Sequence, residues 1–250
     1  LPVTIKSVEG IGVLQSAKTY YYVFRGASLI NVVCNISRNR AYPDFKNDSK
    51  FNNLTENTME ILFKANSFPN TLNTLMGIES NYLLRIGDAT IPNNQLQVAT
   101  SVNNCTSADL QLESGKWYHV AVAFNKGNVK VYINGVEKLS GSTGKSSVSL
   151  GAKHTNEEDG SRCFWVGYSY KDDRYFDGVV SEVRIWNRAL TAEEIQATNH
   201  FYTIEPESEG LIAYWKFDEG SGTVAKDYSV SGYDLTIEKE PKWESVSLPQ

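Results

Sequence analysis

Between Trp165 and Gly178 the chain reads WVGYSYKDDRYFDG, a stretch holding one tryptophan, three tyrosines, three aspartates and one arginine. A polyhydroxylated ligand such as a sugar offers apolar C–H faces and a rim of hydroxyls. An aromatic ring flanked by carboxylates, amides or a guanidinium meets both. On strand alternation Trp165 and Tyr168 fall on opposite faces. The following residues run into a loop, where binding groups concentrate on a rigid scaffold. Tyr168, Tyr170, Asp172, Asp173, Arg174 and Tyr175 are therefore the candidate ligand contacts. The plainer reading puts Trp165 and Phe176 in a core and makes Asp172 to Arg174 a solvated turn.

Other constellations point away from chemistry. The three histidines, His119, His154 and His200, lack metal-ligand spacing, and there is no G-x-S-x-G elbow. His119 reads as a strand residue packed beside Trp117. The stretch GSTGKSS resembles a phosphate loop, but the glycine required five residues before Gly144 is Leu139, which leaves a hairpin loop. Glu205, Glu207 and Glu209 alternate, yet Pro206, Ser208 and Gly210 between them make a linker rather than a strand. Cys34, Cys105 and Cys163 contain no CxxC pair, so neither a disulfide scaffold nor a zinc ligand set is expected. One bridge plus a free thiol and three reduced thiols both remain open.

The elements that must position any site are short strands. They are expected at 18–24, 58–65, 81–87, 94–101, 116–124, 128–133, 164–169 and 179–186. In 118–124, Tyr118, Val120, Val122 and Phe124 alternate with His119, Ala121 and Ala123, giving one bulky face and one small face. Asn134-Gly135 is a strong hairpin signal, since both residues tolerate positive φ. Ser181, Val183 and Ile185 alternate with Glu182, Arg184 and Trp186, and a helix follows over 192–199. Thr191 and Glu194 form its capping box, with Leu190 and Ile195 as a hydrophobic staple. Residues 37–57, 139–147 and 153–162 read as loops. No βαβ alternation is present, so a parallel doubly wound sheet is not expected.

The 250 residues carry a net charge of −5, with 41% hydrophobic and 21% charged residues. That is ordinary for a globular protein. Lysine and arginine are scattered, which speaks against nucleic acid, and no apolar run reaches spanning length. No leader is visible, but the chain lacks an initiator Met and reads as a mature or trimmed piece, so this says nothing about export. The four N-x-S/T sequons, at Asn35, Asn47, Asn53 and Asn104, follow from an Asn-rich composition.

GKWYHVAVAFNKGNVKVYINGVEK followed by FDGVVSEVRIWNRALTAEEIQA resembles the laminin-G-like module of the concanavalin A-like lectin/glucanase superfamily. The resemblance covers about residues 50–200. LMGIESNYLLRIGDATIPNNQLQVATS is similar to bacterial members of the surface glycan-binding type. GLIAYWKFDEGSGTVAKDYSVSGYDLT is also family-like; it usually opens such a module, yet here it comes last. The resemblance implies an all-β, two-sheet antiparallel jelly-roll sandwich. Residues 1–25 would be the tail of a preceding domain or an edge segment, 26–204 the module, and 205–250 closing strands of the same sandwich.

It also implies a non-catalytic carbohydrate-binding module on a secreted or cell-surface bacterial protein, with a glycan or polysaccharide as partner and a lipid anchor conceivable elsewhere. A protein- or matrix-adhesion module is the alternative. Laminarinase-type hydrolases share the superfamily, and their chemistry takes two carboxylates on one strand. Glu182 has Arg184 two residues on rather than a second acid, so that signature is missing. Calcium is common in the superfamily and takes six to eight oxygens. Asp172, Asp173 and Asp177 are candidate ligands, as are Asp218, Glu219 and Asp227.

Overall fold

The computed structural model describes residues 30–154, 163–169 and 172–248. In chain order its strands are β1 (Ile30–Asn35), β2 (Ala41–Pro43), β3 (Glu56–Ala65), β4 (Asn73–Ile78), β5 (Tyr82–Asp88) and β6 (Ile91–Ala99). There follow β7 (Cys105–Gln111), β8 (Trp117–Asn125), β9 (Asn128–Ile133), β10 (Val136–Ser142), β11 (Trp165–Val166) and β12 (Gly178–Trp186). After the helix α1 (Ala192–Ile195) come β13 (Leu211–Trp215), β14 (Val224–Ala225), β15 (Leu235–Ile237) and β16 (Lys242–Ser247).

The strands form two eight-stranded sheets. The first runs β10-β9-β8-β3-β12-β1-β16, with β13 also paired to β12. The second runs β14-β15-β2-β11-β4-β5-β6-β7. Every pairing is antiparallel. This is the expected jelly-roll sandwich. The strands after residue 210 contribute to both sheets. The strand expected at 18–24 and the 1–25 segment lie outside the described residues.

Alternation builds the layer between the sheets. Met59, Ile61 and Phe63 of β3 and Val120, Val122 and Phe124 of β8 point inward and are fully buried. They meet Leu75, Leu84, Leu96 and Val98 from the second sheet. Cys34, Cys105 and Cys163 are buried thiols with no disulfide among them, which settles the thiol alternatives. The hairpin at Asn134-Gly135 has φ of 48° and 76°, the geometry of a type I′ turn. Two expected loops contain structure: β2 and a 3-10 turn at Ser49–Phe51 interrupt 37–57, and β10 runs to Ser142.

The small face of β8 has a structural reason. Ala121 and Ala123 lie under a second apolar layer made by Trp186, Leu190, Ile195 and Tyr214, so the segment after β12 folds back over the outside of the first sheet. The capping box forms as expected: Thr191 accepts from the Glu194 N–H and Glu194 accepts from the Thr191 N–H. The helix itself ends at Ile195, four residues short of the expected boundary. Beyond it the chain continues in turns, with Asn199 at φ 66°.

Candidate functional site

Outward-facing residues of β3, β8 and β12 build a charged cluster beneath that folded-back segment. Glu60 is 1% exposed, His119 1%, Arg184 1% and Glu182 6%. His200 Nε2 lies 2.6 Å from Glu60 Oε1 and donates to it, while Trp186 Nε1 donates to Oε2 at 2.7 Å. His119 Nε2 is 3.3 Å from Glu60 Oε1 but out of line for a hydrogen bond, so that contact is electrostatic. Arg184 donates to Glu182 and to the His200 carbonyl, both at 2.6 Å. His119 is a structural residue as expected, but its ring stacks on Phe201 at 4.5 Å rather than lying beside Trp117.

Glu60, His119 and His200 offer three donor atoms within 4.8 Å of one another. That is the donor set of a two-histidine, one-carboxylate metal centre. The surroundings favour a self-balanced network instead. Glu60's second oxygen is taken by Trp186 and stands 3.7 Å from Arg184, so a dication would enter beside a buried cation. Glu182, considered above for hydrolysis, is sealed in the same network and bound to Arg184. Glu205, Glu207 and Glu209 lie on turns, not a strand.

The protonation of this cluster has a direction. Burial pushes the Glu182 carboxyl up to about 7, against the pull of Arg184. Burial lowers the His119 imidazole below its ordinary value. Burial alone would raise Glu60, but the two imidazoles and Arg184 hold it well below the usual carboxylate range. Lowered groups take protons more readily in the unfolded chain, so their stabilisation is lost as pH falls; the raised Glu182 acts oppositely, its contribution fading as pH rises from the ordinary carboxylate value to about 7. As pH falls from 7 to about 4.5, His119 therefore loses stabilisation while Glu182 gains it, and in more acid solution the loss at Glu60 follows as it is protonated. Glu182→Gln removes the opposing contribution, so its urea midpoint should fall between pH 6.5 and 4.5. A midpoint that follows the parent protein's across this range would refute the opposition.

The outer face of the second sheet differs. Arg85 and Gln97 are 6% and 2% exposed, with Arg85 Nε donating to Gln97 Oε1 at 2.8 Å and Nη2 to Asp88. Beside them Trp165, Tyr168 and Cys163 form a small apolar cluster with Tyr42 and Tyr175. Tyr42 stacks on His154 at 3.6 Å. Trp165 and Tyr168 are not on opposite faces: their rings meet edge to face at 5.0 Å. The strand ends at Val166, and Gly167 at φ 77° turns the chain, which cancels the alternation.

The candidate ligand contacts are distributed as follows. Tyr168 is 6% exposed and has the Arg40 guanidinium 4.3 Å over its ring, so it walls the site rather than offering a bare platform. Tyr175 is half-buried under Arg38 at 5.1 Å. Arg174 donates to Glu79 Oε2 at 3.1 Å. Asp173 points to solvent, its side chain 79% exposed. Asp172 lies in the 3-10 turn Asp172–Arg174, and Tyr170 falls outside the described residues. Of the proposed calcium ligands, Asp177 accepts from Ser37 at 2.7 Å and Ser67 at 2.5 Å. With Asp173 in solvent, these two do not converge on a common point. Asp227 accepts from the backbone of Tyr214, Ser229 and Tyr233, and Glu219 from that of Lys226.

Arg174 leads to a polar cleft that sequence reasoning missed. Asn53, Ile78, Glu79, Ser80, Asn81, Lys145, Ser147 and Ser149 line a cavity of about 440 Å³ at one end of the second sheet. Three separate segments supply it: the approach to β3, the β4–β5 turn, and the loop after β10. Gly77 (φ 121°) and Ser80 (φ 60°) shape the turn. Asn81 Nδ2 donates to the Ser149 carbonyl at 2.8 Å, and Lys145 Nζ donates to Asn81 Oδ1 at 3.0 Å, which fixes the walls against each other. The volume falls within the range of small-ligand pockets. GSTGKSS, set aside above as a hairpin loop, supplies two of the lining residues.

The chain resembles known proteins as follows. A family model described as the concanavalin A-like lectin/glucanases superfamily, of the laminin-G type, matches residues 39–196. A solved structure from Bacteroides ovatus ATCC 8483, provisionally named a carbohydrate binding protein, shares 26% identity over 88% of this chain, with a TM-score of 0.72. This chain spans 61% of that protein's length. Domain 4 of AbnA, a GH43 extracellular arabinanase from Geobacillus stearothermophilus solved with arabinotriose, shares 22% identity, covering 66% of this chain and 74% of its own, with a TM-score of 0.47. A SAP-like pentraxin from Limulus polyphemus shares 16% over 68% of this chain and 82% of its own, with a TM-score of 0.46. Neither of these last two is similar enough to bear on the ligand. No curated protein matches the chain.

Proposed function

Because the chain belongs to the concanavalin A-like lectin/glucanases superfamily, we propose that it is a non-catalytic carbohydrate-binding module of a secreted or cell-surface bacterial protein. The observation that carries this reading is the cleft. Two asparagines, three serines, one carboxylate and one ammonium converge on it. Hydroxyls, amides and single charges are the partners that a sugar's hydroxyl ring takes up. Glycoside hydrolysis takes a facing pair of carboxylates, and the lining supplies Glu79 alone. Arg174 reaches the cleft wall through its pair with Glu79, so a longer glycan would run from the cleft past the Arg174 guanidinium. No helix among the described residues is long and apolar enough to cross a membrane.

Ser147→Trp tests the placement. Ser147 is only half-buried, so an indole there fills the cleft without entering the core. Glycan affinity, read by isothermal titration, is expected to fall at least tenfold while the melting temperature holds. Undiminished binding by this variant would move the site elsewhere on the molecule.

A further inference from the structure

We infer that the cleft selects glycans bearing an anionic group, a carboxylate or a sulfate ester, which pairs with Lys145. This deepens the carbohydrate reading and rests on it. Lys145 is half-buried in the cleft wall. Its ammonium donates to two neutral acceptors, the Asn81 carbonyl at 3.3 Å and Asn81 Oδ1 at 3.0 Å. Among the described residues no carboxylate lies within ion-pair distance of it. The cleft's own acid is already neutralised from the other side. Glu79 holds Arg174 at 3.1 Å through Oε2 and faces Arg85 at 4.0 Å through Oε1.

The lining therefore contains one compensated carboxylate and one uncompensated ammonium. Taking a cation partly out of water without a counter-charge is unfavourable, and burial indeed lowers the Lys145 basicity. An anionic ligand group would restore the balance and form a charge-assisted hydrogen bond. The two bonds to Asn81 leave the third ammonium hydrogen for that ligand. They also hold the side chain in place, so little rotamer freedom is lost on binding. The fixed ammonium would recognise a point charge, not the planar fork that an arginine reads.

The test uses the whole chain in affinity electrophoresis against matched pairs: polygalacturonate against its methyl ester, and dextran sulfate against dextran. One or both anionic members should be retained at least tenfold more strongly than their neutral partners, and added salt should weaken that retention. The polygalacturonate and dextran sulfate arms separate carboxylate from sulfate. Lys145→Gln should abolish the preference and Lys145→Arg should keep part of it, with unchanged melting for both. Equal retention of charged and neutral members would overturn the charge selectivity while leaving the carbohydrate reading intact. The same holds if Lys145→Gln keeps its preference. Retention of none of the four would overturn both.

Discussion

Glu60→Ala is expected to destabilise the protein by about 3–5 kcal/mol, the loss seen when one member of a buried ion network is removed. Glu60 binds three partners from two places in the fold: Trp186 and the charge of Arg184 on β12, and His200 of the folded-back segment. Without it the Trp186 N–H has no acceptor, and Arg184 keeps Glu182 as its one counter-charge, whose carboxyl is easily protonated near pH 7. The segment after β12 then loses its His200 side-chain anchor and keeps its apolar layer and the bonds from Arg184 to the His200 carbonyl and from Gln196 to the Gly135 carbonyl. A paired change shows whether the loss lies in the orphaned charge. Glu60→Leu with Arg184→Met should cost clearly less than the sum of the two single changes, since apolar replacement of a whole buried pair is often nearly neutral. Urea denaturation of the three variants measures this. Strict additivity would mean that the two charges do not sustain each other.

Gly77→Ala carries the second large effect. At φ 121° the backbone there is one that side-chain-bearing residues rarely adopt, and an added Cβ would stand 2.3 Å from the Tyr82 carbonyl oxygen and 2.9 Å from Leu83 Cα. Both neighbours are backbone of the paired strand β5, so neither can rotate away. Strain of this kind costs roughly 1–3 kcal/mol before the clash is relieved, and about 3 kcal/mol in total is expected. Relief requires β4 and β5 to part at the turn bearing Glu79, Ser80 and Asn81. Glycan binding should therefore fall with stability, both in the same titration and melting series. An alanine variant of parental stability would show that this turn is not built as described.

How much of this was legible in the sequence depends on how local each signal is. The capping box at Thr191 and Glu194 and the turn at Asn134-Gly135 are set by residues at most four apart, and both formed. The bulky and small faces of β8 were legible from alternation, although what covers Ala121 and Ala123 was not, because Trp186 and Tyr214 come from β12 and β13. Alternation failed at Tyr168, where Gly167 reverses the chain. β1 was missed despite its β-branched run and the two-residue β14 is too short to carry a period, while β11 fills only part of the strand expected at 164–169. The cleft was illegible for a different reason. Its residues are individually ordinary polar loop groups, and only the pairing of β4 with β5 and the return of the loop after β10 bring them together. The Glu60 network was hidden likewise, since a lone Glu, His or Arg on a strand has no local signature of its partners.

The central claim is that this module binds a glycan and does not cut it. The most direct measurement incubates the purified chain with a panel of polysaccharides and host glycans, with and without calcium, and reads retention in affinity gels together with release of reducing ends. The account predicts retention of at least one glycan, lost in Ser147→Trp, with no new reducing ends. Release of reducing ends by the parent protein would contradict it, as would a panel in which nothing is retained.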